Sequence, residues 1–352
     1  MALPFFDNGA KKKPDQMLAI DLGSRTTKAV HLQRKGNEFS LCGIAMVDAP
    51  IYEKALSVEL LSEHLKSVSQ ALGAKTKFLT VAVGVNEAVV RPVEMPMIPV
   101  DQMRQALKFN SKNYLQQDLS GHVFDCCIIP QTNQLKGGEG GQKQKVLVAG
   151  AKKQYVDDFV EATKVIGLVV DHIVPGLVCP TNAFEMAMPE VFSREVVALV
   201  DVGFKSSFIC ILQEGELVLS RVVTLGGDRL TSGLAEAMNI SYAEAEGIKV
   251  GMAHEVQPQL EMLVAPLGRE LRASVDFFEH QQDRTVSRVF LTGGSASSEY
   301  ILQVLQNELM VECKTWNPAA SLQVALPETQ AADFNQAAPQ FSVALGAAFA
   351  AL

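Results

Sequence analysis

Between residues 17 and 47 the apolar positions come in short runs broken by polar turns. Residues 17–20 and 27–32 flank a Gly-containing turn, and EFSLCGIAMV (38–47) follows. Runs of this length predict three strands joined as a meander. The period then becomes helical in SVELLSEHLKSVSQALG (57–73), where Leu60, Leu61, Leu65, Val68 and Leu72 recur near helical spacing and Gly73 supplies a stop. KFLTVAVG (77–84) reads as a buried strand. From Val196 the same order returns: a strand to Asp201, a turn, SFICIL, a Glu-Gly turn, ELVLSRVVTL, and the helix DRLTSGLAEAMN opened by Gly226 and Gly227. RVFLTGG (288–294) then stands where KFLTVAVG stood. The elements repeat although the residues do not, which predicts two similar α/β halves from an internal duplication. Two Asp-x-Gly turns, at Asp21 and Asp201, are then expected to meet across a cleft.

Insertions separate the matching parts. RPVEMPMIP, with three prolines, marks a boundary near Arg91. A helix (101–116), strands (123–130 and 145–151), a helix (154–166) and a strand (168–173) follow as a small α/β subdomain. QTNQLKGGEGGQKQ, between its two central strands, is polar and glycine-rich and predicts a mobile loop. The expected organisation is a flexible tail (1–16), a first lobe (17–90), the inserted subdomain (91–173) and a return to the first lobe (174–195). A second lobe (196–230 and 280–324) carries a largely helical insertion (231–279), and the C-terminus (325–352) returns to the first lobe.

At 352 residues the chain exceeds one ordinary hydrophobic core, so two or three compact units are expected. Its 48 % hydrophobic and 20 % charged content is that of a globular protein. A net charge of −8 with scattered basic residues argues against a nucleic-acid partner. Cys42, Cys126, Cys127, Cys179, Cys210 and Cys313 show no C-x-x-C spacing, which argues for reduced thiols in the cytosol and against a metal cluster. No run approaches the ~18 to 20 apolar residues of a transmembrane span. MALPFFDNGAKKKPDQM places its apolar residues before its lysines and is not a secretory signal. It reads as a disordered tail, or as a weak membrane-surface or partner contact through Phe5, Phe6, Lys11, Lys12 and Lys13.

A Gly-containing hairpin turn gathers backbone N–H groups into a concavity that suits phosphate oxygens. A carboxylate beside it repels phosphate directly but holds a divalent cation through water. Two such turns across a cleft point to one nucleoside triphosphate, with Mg²⁺ between Asp21 and Asp201.

The turns resemble those of actin-fold proteins. DLGSRTTKAV (21–30) resembles the first phosphate loop, which implies nucleotide contacts from Asp21, Gly23, Ser24, Thr26, Thr27 and Lys28. DVGFKSS (201–207) resembles the second and implies Asp201, Gly203, Lys205 and Ser206. There Phe204 and Lys205 replace small residues, so that either Lys205 brings charge toward the phosphates or Phe204 narrows the site. Gly226 and Gly227, which open the following helix, are also assigned to cofactor binding. LTGGSASS (291–298) resembles the adenosine loop and implies Gly293, Gly294 and Ser295. AEAEGIK is similar to the Glu-x-x-Lys that actin-like chaperones turn toward ribose and adenine, so Glu246 and Lys249 are either that pair or an exposed ion pair.

Four longer runs, RVVTLGGDRLTSGLAEAMNISYAEAEGIKVGM, IPVDQMRQALKFNSKNYLQQDL, VLVAGAKKQYVDDFVEATKVIGLVVDHIVP and ALGAAFA, are similar to the PilM family of type IV pilus assembly proteins. The likeness runs from about Met17 to the C-terminus, and the cell-division protein FtsA is related. It implies an α/β, actin-like (ribonuclease H-like) duplicated two-lobe fold with an FtsA/PilM-type inserted subdomain, and ATP with Mg²⁺ in the inter-lobe cleft. It also implies a cytoplasmic protein recruited to the inner membrane by docking the N-terminal peptide of a PilN-like inner-membrane protein in a groove beside that subdomain. Other pilus platform proteins are further implied partners, and a homo-oligomer stays open. Met103, Leu107 and Tyr114 either line the groove or fill core.

Val174 precedes Pro175 where chaperone and sugar-kinase relatives carry a carboxylate. A general base is worth ~10²–10⁴ in rate. ATP is therefore expected to act as a conformational ligand with slow or no turnover, and no catalytic residue is assigned. One alternative is an FtsA-like division or filament protein, although the closing ALGAAFAAL reads as a packed core helix rather than a membrane helix. Another is a sugar or acetate kinase, for which neither a catalytic carboxylate nor an acceptor pocket is evident.

Overall fold

The computed structural model describes residues 15–51, 56–85, 87–129, 143–296 and 298–351. Strands β1 (Gln16–Leu22), β2 (Thr26–Lys35) and β3 (Glu38–Asp48) form the expected antiparallel meander. Helix α1 (Val58–Leu72) starts where the Ser57 hydroxyl accepts from the Leu60 N–H, and ends at Gly73 in a left-handed cap with φ 62°. Strand β4 (Phe78–Val83) lies parallel to β1. A separate three-stranded sheet holds β5 (Ala88–Pro96) and, after α2 (Val100–Leu115), β6 (His122–Ile128) and β7 (Lys143–Lys152), in the order β5-β7-β6. Then come α3 (Lys153–Val165), β8 (Val169–Pro175), α4 (Cys179–Ala187) and α5 (Pro189–Arg194).

The second lobe repeats the meander as β9 (Val196–Val202), β10 (Ser207–Gln213) and β11 (Glu216–Val223). Three helices follow: α6 (Gly227–Met238), α7 (Tyr242–Gly251) and α8 (Gln257–Gln282). Strand β12 (Arg288–Thr292), α9 (Glu299–Leu309) and β13 (Glu312–Thr315) complete this lobe. Strand β14 (Gln323–Val324) pairs with β3, so the chain is back in the first sheet before residue 325, and α10 (Glu328–Ala337) and α11 (Ser342–Ala351) close the fold. Apart from β14, the two large sheets share one order, β3-β2-β1-β4-β8 and β11-β10-β9-β12-β13.

Two expectations about the insertion are corrected. The proline-rich boundary is itself strand β5, because β5 lies at a sheet edge, where a residue without an N–H interrupts no ladder on its open side. Helix α3 and strand β8 belong to the first lobe rather than to the insert: Phe159 and Ala162 share a core with Leu61 and Leu65 of α1, and β8 pairs with β4. The tail carrying Phe5, Phe6 and Lys11 to Lys13, and residues 131–142 of the glycine-rich loop, lie outside the described residues. No helix among the described residues is long and apolar enough to cross a membrane.

The side-chain alternation of strands orders the layers. On β1, Leu18 and Ile20 face α1 and α3, whereas Met17 and Ala19 face the core shared with α4 and α11. On β9, Val196, Ala198 and Val200 pack with Leu267 and Leu271 of α8 and Leu305 of α9, while Val197 and Leu199 join the shared core. By the same parity Asp21 and Asp201 lie on the faces that look toward each other.

Candidate functional site

A cleft of about 510 Å³ opens between the lobes at the carboxyl ends of β1, β4, β8, β9 and β12, the end at which open α/β sheets bind ligands. Asp21 and Asp201 both line it. Lys28 stands opposite Asp21 in the β1–β2 register. Burial raises the Asp21 carboxyl above its ordinary value, and the Lys28 charge offsets this only in part. Burial, reinforced by the Asp21 charge, pushes Asp201 up to about 7 against the pull of Lys28. Two carboxylates crowded into one site are relieved by a divalent cation.

The two turns are built alike. A Cβ on Gly23 would run into the Thr26 carbonyl oxygen, and one on Gly203 would stand 2.7 Å from the Ser206 carbonyl oxygen, the equivalent atom. Gly293 holds φ 96°, and a Cβ there would lie 2.5 Å from Asp201 Oδ1. Small residues are therefore required around the carboxylates, because the chain's own backbone and the Asp201 carboxylate fill the positions a Cβ would take. Ser24, Thr26, Ser206, Gly294 and Ser295 also line the cleft.

Glu246 and Lys249 form an ion pair at 2.6 Å on α7, set by their i,i+3 spacing, and both line the cleft rather than the outer surface. Lys249 Nζ donates to Thr231 Oγ1 at 2.7 Å and to the Gly227 carbonyl at 3.4 Å, which ties α7 to the start of α6. Burial opposes ionisation of Glu246, but hydrogen bonds from Lys249 and Thr231 hold its carboxyl below the usual range.

Several expected residues are placed differently. Thr27 points away from the cleft: it is fully buried, its hydroxyl 2.7 Å from His64 Nε2. Strand alternation already forbids Thr27 and Lys28 from sharing a face. Thr27→Val is expected to cost about 1 kcal/mol of stability, the worth of one buried hydrogen bond, and to leave nucleotide affinity unchanged; a urea melt and a binding titration check both. Gly226 also lies off the cleft surface. It caps α6, and a Cβ there would collide with the Phe204 carbonyl, so its role is to seat the helix on the turn. Lys205 lines the cleft, but its ammonium is engaged 2.8 Å from Asp228 Oδ2. Met103 and Leu107 are fully buried in the inserted subdomain's own core, with Tyr114 packed against it, so the core reading holds for the first two.

Arg25, Gly84, Gly176, Tyr300 and Gln340 line the cleft without having been singled out. Gly84 and Gly176 follow β4 and β8 directly, so the carboxyl-end rule marks them once those strands are known. Arg25, Tyr300 and Gln340 carry no such signal.

The family model described as "Type IV pilus assembly protein PilM" matches residues 19–351. Among solved structures, the PilM-PilN type IV pilus biogenesis complex is similar at TM-score 0.81 and 21 % identity, covering 97 % of this chain and 100 % of that one. Ethanolamine utilization protein EutJ from Carboxydothermus hydrogenoformans is similar at TM-score 0.57 and 14 % identity, over 97 % and 91 % of the two chains. MreB5 of Spiroplasma citri bound to AMPPNP is similar at TM-score 0.51 and 12 % identity, over 95 % of each. These likenesses show the fold, which is actin-like. The cell division protein FtsA of Bacillus subtilis (strain 168) is 38 % identical over 58 residues, 16 % of this chain and 13 % of FtsA, so the match spans a small part of that relative.

Proposed function

Since the chain belongs to the PilM family of type IV pilus assembly proteins, we propose that it is the nucleotide-binding, actin-like component of a pilus assembly platform. The observation that carries this reading is the convergence of Asp21 and Asp201, from equivalent turns of two lobes, on one cleft. Asp21 and Asp201 would hold Mg²⁺, the turns at Gly23 and Gly203 would take the phosphates, and Gly293 to Ser295 with Glu246 and Lys249 would take the adenosine. When bound, Mg²⁺ supplies positive charge between the carboxylates and the phosphates. MreB5, of the same fold, was solved with AMPPNP, which supports a triphosphate ligand. Val174 is fully buried in β8 and brings no carboxylate, in keeping with slow or no turnover.

ATP then acts by joining the two lobes through its own contacts and by setting the inserted subdomain's orientation. Lys145 of β7 pairs with Glu216 of β11 at 3.6 Å, and β5 touches β11 without pairing with it, so the inserted subdomain rests on the second lobe and follows its rotation. A PilM relative was solved with PilN, which supports a PilN-like partner that recruits this chain to the inner membrane.

Calorimetry tests both statements. Mg-ATP should bind the protein and lose its heat in Asp21→Ala and Asp201→Ala; retained affinity in both variants rejects the site. A PilN-type N-terminal peptide should shift ATP affinity, and ATP the peptide's by the same factor. Identical ATP affinity with and without peptide removes the coupling.

A further inference from the structure

Arg25 and Lys205 occupy equivalent positions, four residues after Asp21 and Asp201 in the two duplicated turns. Their partners differ. Lys205 stays within its lobe on Asp228, whereas the Arg25 guanidinium crosses the cleft to Glu246 Oε1 at 2.7 Å. The ring of Phe204 serves both cations, its centroid 5.3 Å from Arg25 Cζ and 5.3 Å from Lys205 Nζ. Glu246 is itself fixed from the far side by Lys249 and Thr231. Arg25, Phe204 and Glu246 therefore form a chain of contacts from the first-lobe turn, over the second-lobe turn, to α7. All three line the cleft.

We infer that Arg25 fastens the mouth of the cleft, with Phe204 as its platform and Glu246 as its anchor, so that a nucleotide enters and leaves only when this contact breaks. The inference rests on the nucleotide-binding reading above, but the fastening exists without a ligand. It gives the bulky residue of the second turn a role: a planar guanidinium can stack on Phe204 while its fork reaches the carboxylate, which the smaller residue in the equivalent position, Ser24, could not support. Arg25 is a positioning residue in this scheme. It holds one oxygen of Glu246 while Lys249 and Thr231 hold the other.

The test uses the full chain, with Arg25→Ala, Arg25→Lys and Phe204→Ser. Hydrogen exchange of the ligand-free protein is expected to speed up at residues 23–26 and 203–206 in Arg25→Ala and Phe204→Ser. Stopped-flow mixing with a fluorescent ATP analogue and Mg²⁺ should show association and dissociation both faster, about five- to tenfold in Arg25→Ala, which loses the ion pair, and less in Phe204→Ser, which loses only its platform. Arg25→Lys, which keeps the charge without the planar stack, should fall between. Unchanged exchange and unchanged rates would overturn the inference, and so would faster dissociation alone, which marks a direct ligand contact. If the unsubstituted protein binds no nucleotide, the functional proposal fails, and the ligand-free exchange still decides for or against the fastening.

Discussion

Asparagine in place of Asp201 is expected to move two measurements in opposite directions. In the empty protein the Asp201 carboxyl sits at about 7, raised by burial and by Asp21. The folded state therefore holds a proton, between pH ~4 and ~7, that the unfolded chain releases. Stability from this group is full below the unfolded value and is lost as pH rises through 7. At pH 8 both carboxylates are charged and repel, and the neutral amide removes that repulsion. The melting temperature of ligand-free Asp201→Asn should thus exceed that of the unsubstituted protein at pH 8, by about 2–4 °C per kcal/mol relieved, and the difference should shrink as pH falls and close only below pH ~4. Mg-ATP affinity should fall by roughly 100-fold or more, since even residues behind a metal's ligands cost 10–100-fold when changed. A variant that melts lower at pH 8 and still binds Mg-ATP would show that Asp201 is not the crowded cation-binding carboxylate described here.

Gly346→Ala should be the most damaging single methyl in the fold. Helices α4 and α11 cross between the lobes, and a Cβ on Gly346 would land on the Cys179 carbonyl oxygen, with the Cys179 backbone carbon and Cα directly behind it. The pair is also joined by a hydrogen bond from Asn182 Nδ2 to the Gly346 carbonyl at 3.3 Å. Backbone atoms cannot rotate aside as a side chain can, so the helices must separate, at a cost of about 3 kcal/mol or more. That corresponds to a fall of about 6–12 °C in melting temperature. Gly247→Ala is the control. Gly247 is exposed in α7 and an added Cβ meets nothing within contact distance, so this change should leave stability unchanged or raise it by about 0.5–1 kcal/mol. Equal melting of both variants would mean that the two helices do not meet at Gly346.

Local chemistry made much of this protein legible. The Asp-x-Gly turns, the meander built around each of them, the Gly73 stop and the Glu246–Lys249 spacing are statements about residues within a few positions of each other. Strand parity also decides, from the sequence alone, that Asp21 shares a face with Met17 and Ala19, and that Thr27 does not share one with Lys28.

What the chain could not declare by itself is which surfaces meet. Proline 92 looks like a boundary until β5 is seen to be an edge strand, and an edge is defined only by the absence of a neighbour on one side. Helix α3 and strand β8 follow the insert in sequence, yet their apolar residues complete the core begun by α1 and β4. Arg25 and Glu246 stand 221 positions apart, and Lys205 chose Asp228 over the open cleft. The sequence thus determined the elements, their apolar faces and the acidic turns, because those follow from backbone preference and side-chain alternation. Only the packing of two lobes on α4 and α11 decided which charges face each other, because the distance between lobes is set by side-chain volumes drawn from the whole length of the chain.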